Sequence, residues 1–367
     1  MTDRCLSLAR SAPNVPSRRD LPGTARDNGG MQLPEIDELL DRTHIVTLPL
    51  VTRFRGVDAR EVAIIRGTVA WSEFSPFLEY VDAEAANWLR AAIEFGFDET
   101  LERHADGEIW VNATVPAVEV SALDGVLARF DGCRTAKIKV AERGQTLADD
   151  IARVAGVRER LGADARLRVD ANGGWSVGDA VTALRALARF GLEYAEQPCA
   201  TTAELGELRG RLRDAGIEVP IAADESIRKA DDPLEVARLG AADVVVVKMQ
   251  PLGGIRRAVD IVASAGLPAT VSSALDSSVG IAMGAQLAAA LPAPRHDAGL
   301  GTASLLAEDV VIEPLRPRAG RIPLAPVTVD EAALKRLASP AERQEWWRER
   351  LRRCHALLAG GSAQIPE

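Results

Sequence analysis

The sequence predicts an α/β protein: a TIM-type (β/α)8 barrel with a smaller α+β unit ahead of it. Three observations carry that expectation. From residue 110 onward, short apolar runs alternate with amphipathic stretches of helical period, the pattern of βα units around a parallel sheet. The run "VVVVK" at 244–248 is continuous and β-branched, as a parallel strand buried on both faces requires. No G-x-G-x-x-G turn follows the first of these strands, which removes the usual signature of the competing doubly wound open sheet.

Taken in order, residues 1–30 are rich in Arg, Pro, Ser and Gly and lack the apolar core of a secretory signal. They are expected to be a disordered extension, and Met31 is an alternative start. Residues 31–109 form the α+β unit. In it "HIVTLPLVTRF" and "REVAIIRGTVAWSEF" read as strands, and "DAEAANWLRAAIEFG" as a helix. Barrel strands are expected in "WVNATVPA" (110–117), "TAKIKV" (135–140), "RLRVDAN" (166–172) and "LEYAEQP" (192–198). The remaining four fall in "PIAADES" (220–226), "ADVVVVKMQ" (242–250), "PATVSSA" (268–274) and "RHDAGL" (295–300). Helical segments lie between them, such as "SVGDAVTALRALARFG", which a Ser cap opens and a Gly closes. The barrel is expected over 110–315. Residues 316–367 form a tail with a terminal helix near "PAERQEWWRERLRRCHALL" that returns to pack on the other units.

The 367 residues are 47% hydrophobic and 26% charged, enough for a barrel and a second core. A net charge of −9 argues against nucleic acid or an anionic membrane as partner, while leaving room for a local cationic site. Four scattered cysteines offer neither zinc spacing nor a disulfide framework, so a reduced, cytoplasmic setting is expected. No apolar run approaches the roughly 20 residues that span a bilayer. No obligate protein partner is evident.

In such barrels the chemistry sits at the C-terminal ends of the strands. Three consecutive strands end in an acid: Asp170, Glu196 and Asp224, at nearly even spacing along the chain. Three converging carboxylates repel one another unless a cation lies between them. All-oxygen ligation selects a hard ion, Mg²⁺ with Mn²⁺ as a substitute. Lys137 and Lys139 alternate along one strand and so share a face, and Lys248 ends the strand across the barrel. Amines therefore flank both sides of an anionic substrate held on the metal. A neighbouring ammonium at Lys137 and the divalent ion would lower the pKa of Lys139, making it a base for a proton α to a carboxylate. The metal would stabilise the resulting enediolate.

This constellation resembles the enolase superfamily, in which a Lys or His base works beside Mg²⁺. The K-x-K of Lys137 and Lys139, with Asp170, Glu196, Asp224 and Lys248, looks like the subgroup of muconate-lactonising enzymes. Within that subgroup, "FRGVDAREVAIIRG", "WSEFSPF", "RVDANGGWS", "AEQPC", "VSSALDSSVGIAMGAQLAAAL" and "GLGTASLLAEDV" are most similar to o-succinylbenzoate synthases of the actinobacterial type. The resemblance covers Met31 to about Leu315. It implies an N-terminal capping domain on a modified barrel, and a lyase of menaquinone biosynthesis. The implied reaction is syn-dehydration of 2-succinyl-6-hydroxy-2,4-cyclohexadiene-1-carboxylate (SHCHC) to 2-succinylbenzoate. Carried over, Lys139 takes the α-proton and returns it to the departing hydroxide, while Lys248 stabilises the enediolate by charge.

Other positions have two readings each. Asn172 holds a metal water or ligand, or makes a plain strand-end hydrogen bond. Ser272 and Ser273 bind the succinyl carboxylate, or cap a turn and helix. Arg53 and Arg55 close a loop over the substrate, or stay solvated. Gly299 and Gly301 let the backbone approach the ligand. Trp175 and Phe54 are lid or core aromatics. An N-acylamino acid racemase, a dipeptide epimerase or a muconate cycloisomerase would use the same acids and lysines. The epimerases typically carry an Asp-x-Asp at the eighth strand, which here reads "HDAGLGT". A non-catalytic metal-binding scaffold would be expected to have lost a ligand or a lysine, and none is lost.

Overall fold

A computed structural model describes residue 27 and residues 30–54, 56–228, 232–292 and 296–360. The chain opens with α1 (Ile36–Asp41) and a three-stranded antiparallel sheet, β1 (Thr43–Phe54), β2 (Val57–Arg66) and β3 (Trp71–Phe74). The stretch read as a single strand over 60–74 is thus two, because the chain reverses at Gly67–Ala70. A Cβ on Gly67 would lie 2.0 Å from the Gly96 carbonyl oxygen, so only glycine allows that close approach. Next comes α2 (Asp82–Phe97), then β4 (Glu108–Trp110) and β5 (Ala113–Val115). The first expected barrel strand is therefore split. Only β5 joins the barrel; β4 pairs antiparallel with β12 (Arg321–Pro323).

The barrel sheet then runs α3 (Leu123–Leu127), β6 (Thr135–Lys139), α4 (Leu147–Leu161), β7 (Arg166–Asp170), α5 (Val177–Leu187), β8 (Leu192–Glu196) and α6 (Thr202–Asp214). It continues through β9 (Ile221–Ala223), α7 (Glu225–Arg228), α8 (Glu235–Arg238), β10 (Val244–Val247), α9 (Ile255–Ala265), β11 (Ala269–Val271) and α10 (Ser278–Ala290). Seven parallel strands stand in chain order from β5 to β11. Helix starts follow local chemistry: Thr146–Asp149 and Thr201–Glu204 form capping boxes, and Ser176 caps α5.

No strand forms among the described residues of the expected eighth, "RHDAGL". The ring closes there through two single bridges, Val111 to Ala298 and Ser272 to Gly299. Pro292 just upstream lacks an amide donor for a ladder, and glycines 299 and 301 follow, which accounts for the short pairing.

β10 shows why its sequence is unbroken valine. Val245 and Val247 enter the core between sheet and helices, while Val244 and Val246 fill the barrel interior with Tyr194 and Ala222. The small unit has its own core, in which Leu33, Trp88 and Phe74 meet Trp347, Leu351 and Cys354 of α12 (Ala341–Leu358). α11 (Glu331–Arg336) packs on β1 and β2 through Leu334. The two tail helices thus pack on the cap, whereas Ile322 and Leu324, in and beside β12, join the barrel core.

Of residues 1–30, only Asp27 and Gly30 are described, and the rest of the expected extension lies outside the described residues. Asp27 is buried, accepting from Arg90 Nε at 2.6 Å and from the Met31 amide at 2.7 Å. The packed chain therefore reaches back beyond Met31. Among the described residues no helix is long and apolar enough to cross a membrane.

Candidate active site

Strand register gathers the chemistry. Lys139 pairs with Asp170 across β6 and β7, Asp170 with Glu196 across β7 and β8, and Glu196 with Ala222 on β9, two residues before Asp224. Lys248 follows β10 directly. A small chamber of about 30 Å³ opens there, lined by Lys137, Lys139, Asp170, Asp224 and Lys248 together with Ser272, Ser273, Leu275, Gly299 and Thr302. Glu196 is not part of this lining but is bonded to Lys137, which is.

Each acid is turned onto a cation. Lys139 Nζ donates to Asp170 Oδ2 at 2.5 Å, and Lys137 Nζ lies 3.2 Å from the same oxygen. Lys137 donates to Glu196 Oε1 at 2.8 Å, and Lys248 to Asp224 Oδ2 at 2.5 Å. Burial opposes ionisation of Asp170 and Asp224, but the lysines beside Asp170, and Lys248 and Arg228 beside Asp224, hold both well below the usual carboxylate range. Burial and the charge of Asp170 push Glu196 up to about 7. Burial disfavours the Lys137 ammonium, yet Glu196 and Asp170 outweigh it and raise its pKa. Burial of Lys248 prevails over the pull of Asp224 and lowers its pKa.

The donor set fits a hard divalent cation. The three carboxylates are each 1% exposed and sit on neighbouring strands, and Glu196 Oε2 is buried without a hydrogen-bond partner. Among the described residues they are not drawn together to metal-holding spacing, since the lysines occupy the oxygens that would face a metal.

Strain marks the same rim. Ala141, Asn172, Gln197 and Leu275 all have positive φ without being glycine, and each lies just past a barrel strand. Asn172 thereby turns its Oδ1 to Lys139 Nζ (2.5 Å) and its Nδ2 to Glu225 Oε1 (3.2 Å). Gln197 accepts from the amides of Asp224 (2.9 Å) and Ser226 (3.2 Å), fixing the next strand end.

Ser273 Oγ meets Thr302 Oγ1 at 2.7 Å and the Gly299 carbonyl at 3.0 Å, so both serines face the chamber. The cap of α10 is Ser277 instead. A Cβ on Gly301 would meet the Asn112 carbonyl oxygen at 2.7 Å and the Phe130 ring, so backbone packing by itself requires this glycine, which is not among the residues lining the chamber. Gly299 does line it. Arg55 lies outside the described residues. Arg53 is exposed at the β1–β2 tip, bonded to the Gly56 carbonyl at 3.0 Å and facing Asp58. Phe54 is both core and site: it is buried, and its ring lies 5.4 Å from Lys139 Nζ. Trp175 packs half-buried on the core. Sequence reasoning missed Thr114 and Thr302 in the chamber wall, and Tyr80, Glu225 and Arg228 behind it. Single hydroxyls carry no spacing signal, and Tyr80 comes from the cap.

Residues 45–96 match the Enolase N-terminal domain-like family, and residues 123–328 the Enolase C-terminal domain-like family. The chain is 52% identical over 327 residues to the o-succinylbenzoate synthase of Mycolicibacterium smegmatis, covering 89% of this chain and 99% of that one. The chain belongs to the o-succinylbenzoate synthase family. Another member of the family, the o-succinylbenzoate synthase of Mycobacterium leprae, is 53% identical over 89% of this chain and 95% of its own. The fold of this synthase family is shared with the 2-chloromuconate cycloisomerase of Rhodococcus opacus, with TM-score 0.66 and 24% identity over 81% of this chain and 98% of that one. It is shared too with the dipeptide epimerase of Enterococcus faecalis, with TM-score 0.63 and 23% identity over 78% and 96%. The capped, modified (β/α)8 barrel expected from the sequence is thus the fold of the synthase family.

Proposed function

We propose that this protein dehydrates SHCHC to 2-succinylbenzoate, acting as an o-succinylbenzoate synthase. The observation that carries the reading is the placement of Lys139 and Lys248 in one chamber, with Asp170 and Asp224 lining it between them and Glu196 bonded to Lys137, in a chain more than half identical to synthases. Asp170, Glu196 and Asp224 would hold Mg²⁺, or Mn²⁺ in its place, which would supply charge stabilisation at the substrate carboxylate.

Neutral Lys139 takes the proton α to that carboxylate, breaking the C–H bond and becoming an ammonium. Lys248, on the other side, offers its ammonium to the charge that develops. The electron pair then forms the ring double bond as the C–OH bond breaks. Lys139 gives its proton to the departing hydroxide, and water leaves with the amine restored. Lys137, held cationic by two carboxylates, keeps a fixed positive charge beside the base. Ser272, Ser273 and Thr302 offer hydroxyl donors for the distal carboxylate. The setting we propose is cytoplasmic, and the described cysteines, Cys133, Cys199 and Cys354, are buried free thiols.

An epimerase of dipeptides fits less well. Asp297, the acid of the eighth segment, takes its bonds from Arg134, Arg166 and Thr135, below the chamber. The test is ultraviolet turnover of SHCHC. We expect kcat/KM of about 10⁴ M⁻¹s⁻¹ or more, lost on chelation and restored by Mg²⁺. No turnover by metal-loaded protein would end the reading.

A further inference from the structure

The segment after β9 reads Asp224-Glu225-Ser226-Ile227-Arg228, and Arg228 is 6% exposed. Its guanidinium has three separate acceptors. Nε donates to Asp224 Oδ1 at 3.1 Å, Nη2 to Glu225 Oε1 at 2.7 Å, and Nη1 to the Tyr80 hydroxyl at 2.7 Å. Asp224 binds Lys248 through its other oxygen, and Glu225 Oε1 also receives Asn172 Nδ2, whose Oδ1 holds Lys139 Nζ. A continuous hydrogen-bonded chain therefore joins Lys139 to Lys248 around the rim, with Arg228 at its centre and a branch to the cap. The planar fork of arginine sets three donors in fixed directions, which an ammonium on a flexible stem cannot reproduce.

We propose that Arg228 is a positioning residue for both chamber lysines, the base Lys139 and the charge-stabilising Lys248. It fixes Lys139 through Glu225 and Asn172, fixes Lys248 through Asp224, and makes both depend on docking of the cap through Tyr80. The assignment rests on the proposed metal site for its binding readout and on the synthase reading for its turnover readout.

The experiment compares wild type, R228K, E225A and Y80F. For each, it measures Mg²⁺ binding by calorimetry without substrate, steady-state kinetics with SHCHC, and Tm. R228K should keep its Tm within a few degrees, raise the Mg²⁺ Kd about 10- to 100-fold, and lower kcat at saturating metal by a similar factor, with KM nearly unchanged. E225A should lower kcat about tenfold, because it removes the carboxylate that links Arg228 to Asn172. Y80F should lower kcat a few-fold at an unchanged Mg²⁺ Kd. R228K with wild-type Mg²⁺ Kd and kcat would overturn the proposal. If R228K fails to fold, E225A decides, and a wild-type kcat there overturns it equally. Wild type that binds no Mg²⁺ would sink the metal reading and this proposal together. Intact metal binding and R228K effects without SHCHC turnover would sink the substrate reading alone.

Discussion

Lys139 is held at once by Asp170 and Asn172, with the Phe54 ring 5.4 Å from its amine. Lys139→Ala should therefore lose solvent-deuterium exchange at the substrate α-carbon by about 10³-fold or more, while calorimetric Mg²⁺ binding stays within a few-fold of wild type. Exchange at an appreciable rate in that variant would remove Lys139 as the base. At this scale the sequence was informative wherever a residue's role follows from its strand position. An acid or lysine that ends a parallel strand must face the barrel mouth, so Lys137, Lys139, Asp170, Glu196, Asp224 and Lys248 could be read directly. Arg228 and Tyr80 could not, because their meeting depends on how the cap sits on the barrel. The role of Gly301 was not legible, because a glycine needed for the Asn112 carbonyl looks the same in sequence as one needed for a ligand.

The short element from β3 to the start of α2 touches three successive barrel loops. Tyr80 meets Arg228, Ser75 meets Gln250, and Glu73 accepts from the Ser277 hydroxyl and from the amides of Ser277 and Gly280 at the start of α10. Glu73 is fully buried, and burial together with Asp276 pushes its pKa up to about 7. Its folded pKa lies above the unfolded value, so the folded protein binds this proton more tightly. Stability should fall as pH rises between about 4.5 and 7. Asp276, raised to about 6 by its own burial, adds in the same sense. Glu73→Gln should flatten the decline of Tm between pH 5 and 8, and an unchanged slope would exclude Glu73 as its source. Elements with strong period, such as β6 and α5, were legible. The pairing of β4 with β12 was not, since two three-residue strands some 200 residues apart leave no local pattern.

As a whole, the molecule has two large cores, the apolar shell around the barrel and the cap closed by α12, joined by apolar contacts such as Val46 and Leu48 with Val279 and Leu306 and by polar contacts. Asp27 and Arg90 reinforce that joint, because Arg90 also donates to the Gly253 carbonyl on the barrel side. Asp27→Ala should cost about 1–3 kcal/mol in chemical denaturation, as it strips a charged partner from a largely buried guanidinium. The barrel class was legible in the sequence because βα alternation is a global pattern, whereas the manner of its closure was not.

That closure has a kinetic consequence. Among the described residues, the backbone ladder between β5 and β11 is completed at residues 298 and 299, by bonds of Ala298 with Trp110 and Asn112 and of Gly299 with Val271 and Ser273. β6 and β7, by contrast, pair over five consecutive residues. The seam should therefore unzip in local fluctuations that leave the rest of the sheet intact, and its amides should exchange with deuterium well before those of β6 to β8. Gly299 is also chamber wall, and a Cβ there would meet Ser272 Oγ at 2.6 Å. Gly299→Ala should accelerate that exchange by an order of magnitude and raise KM, because the weakest fastening of the ring is also the surface against which the substrate must be held.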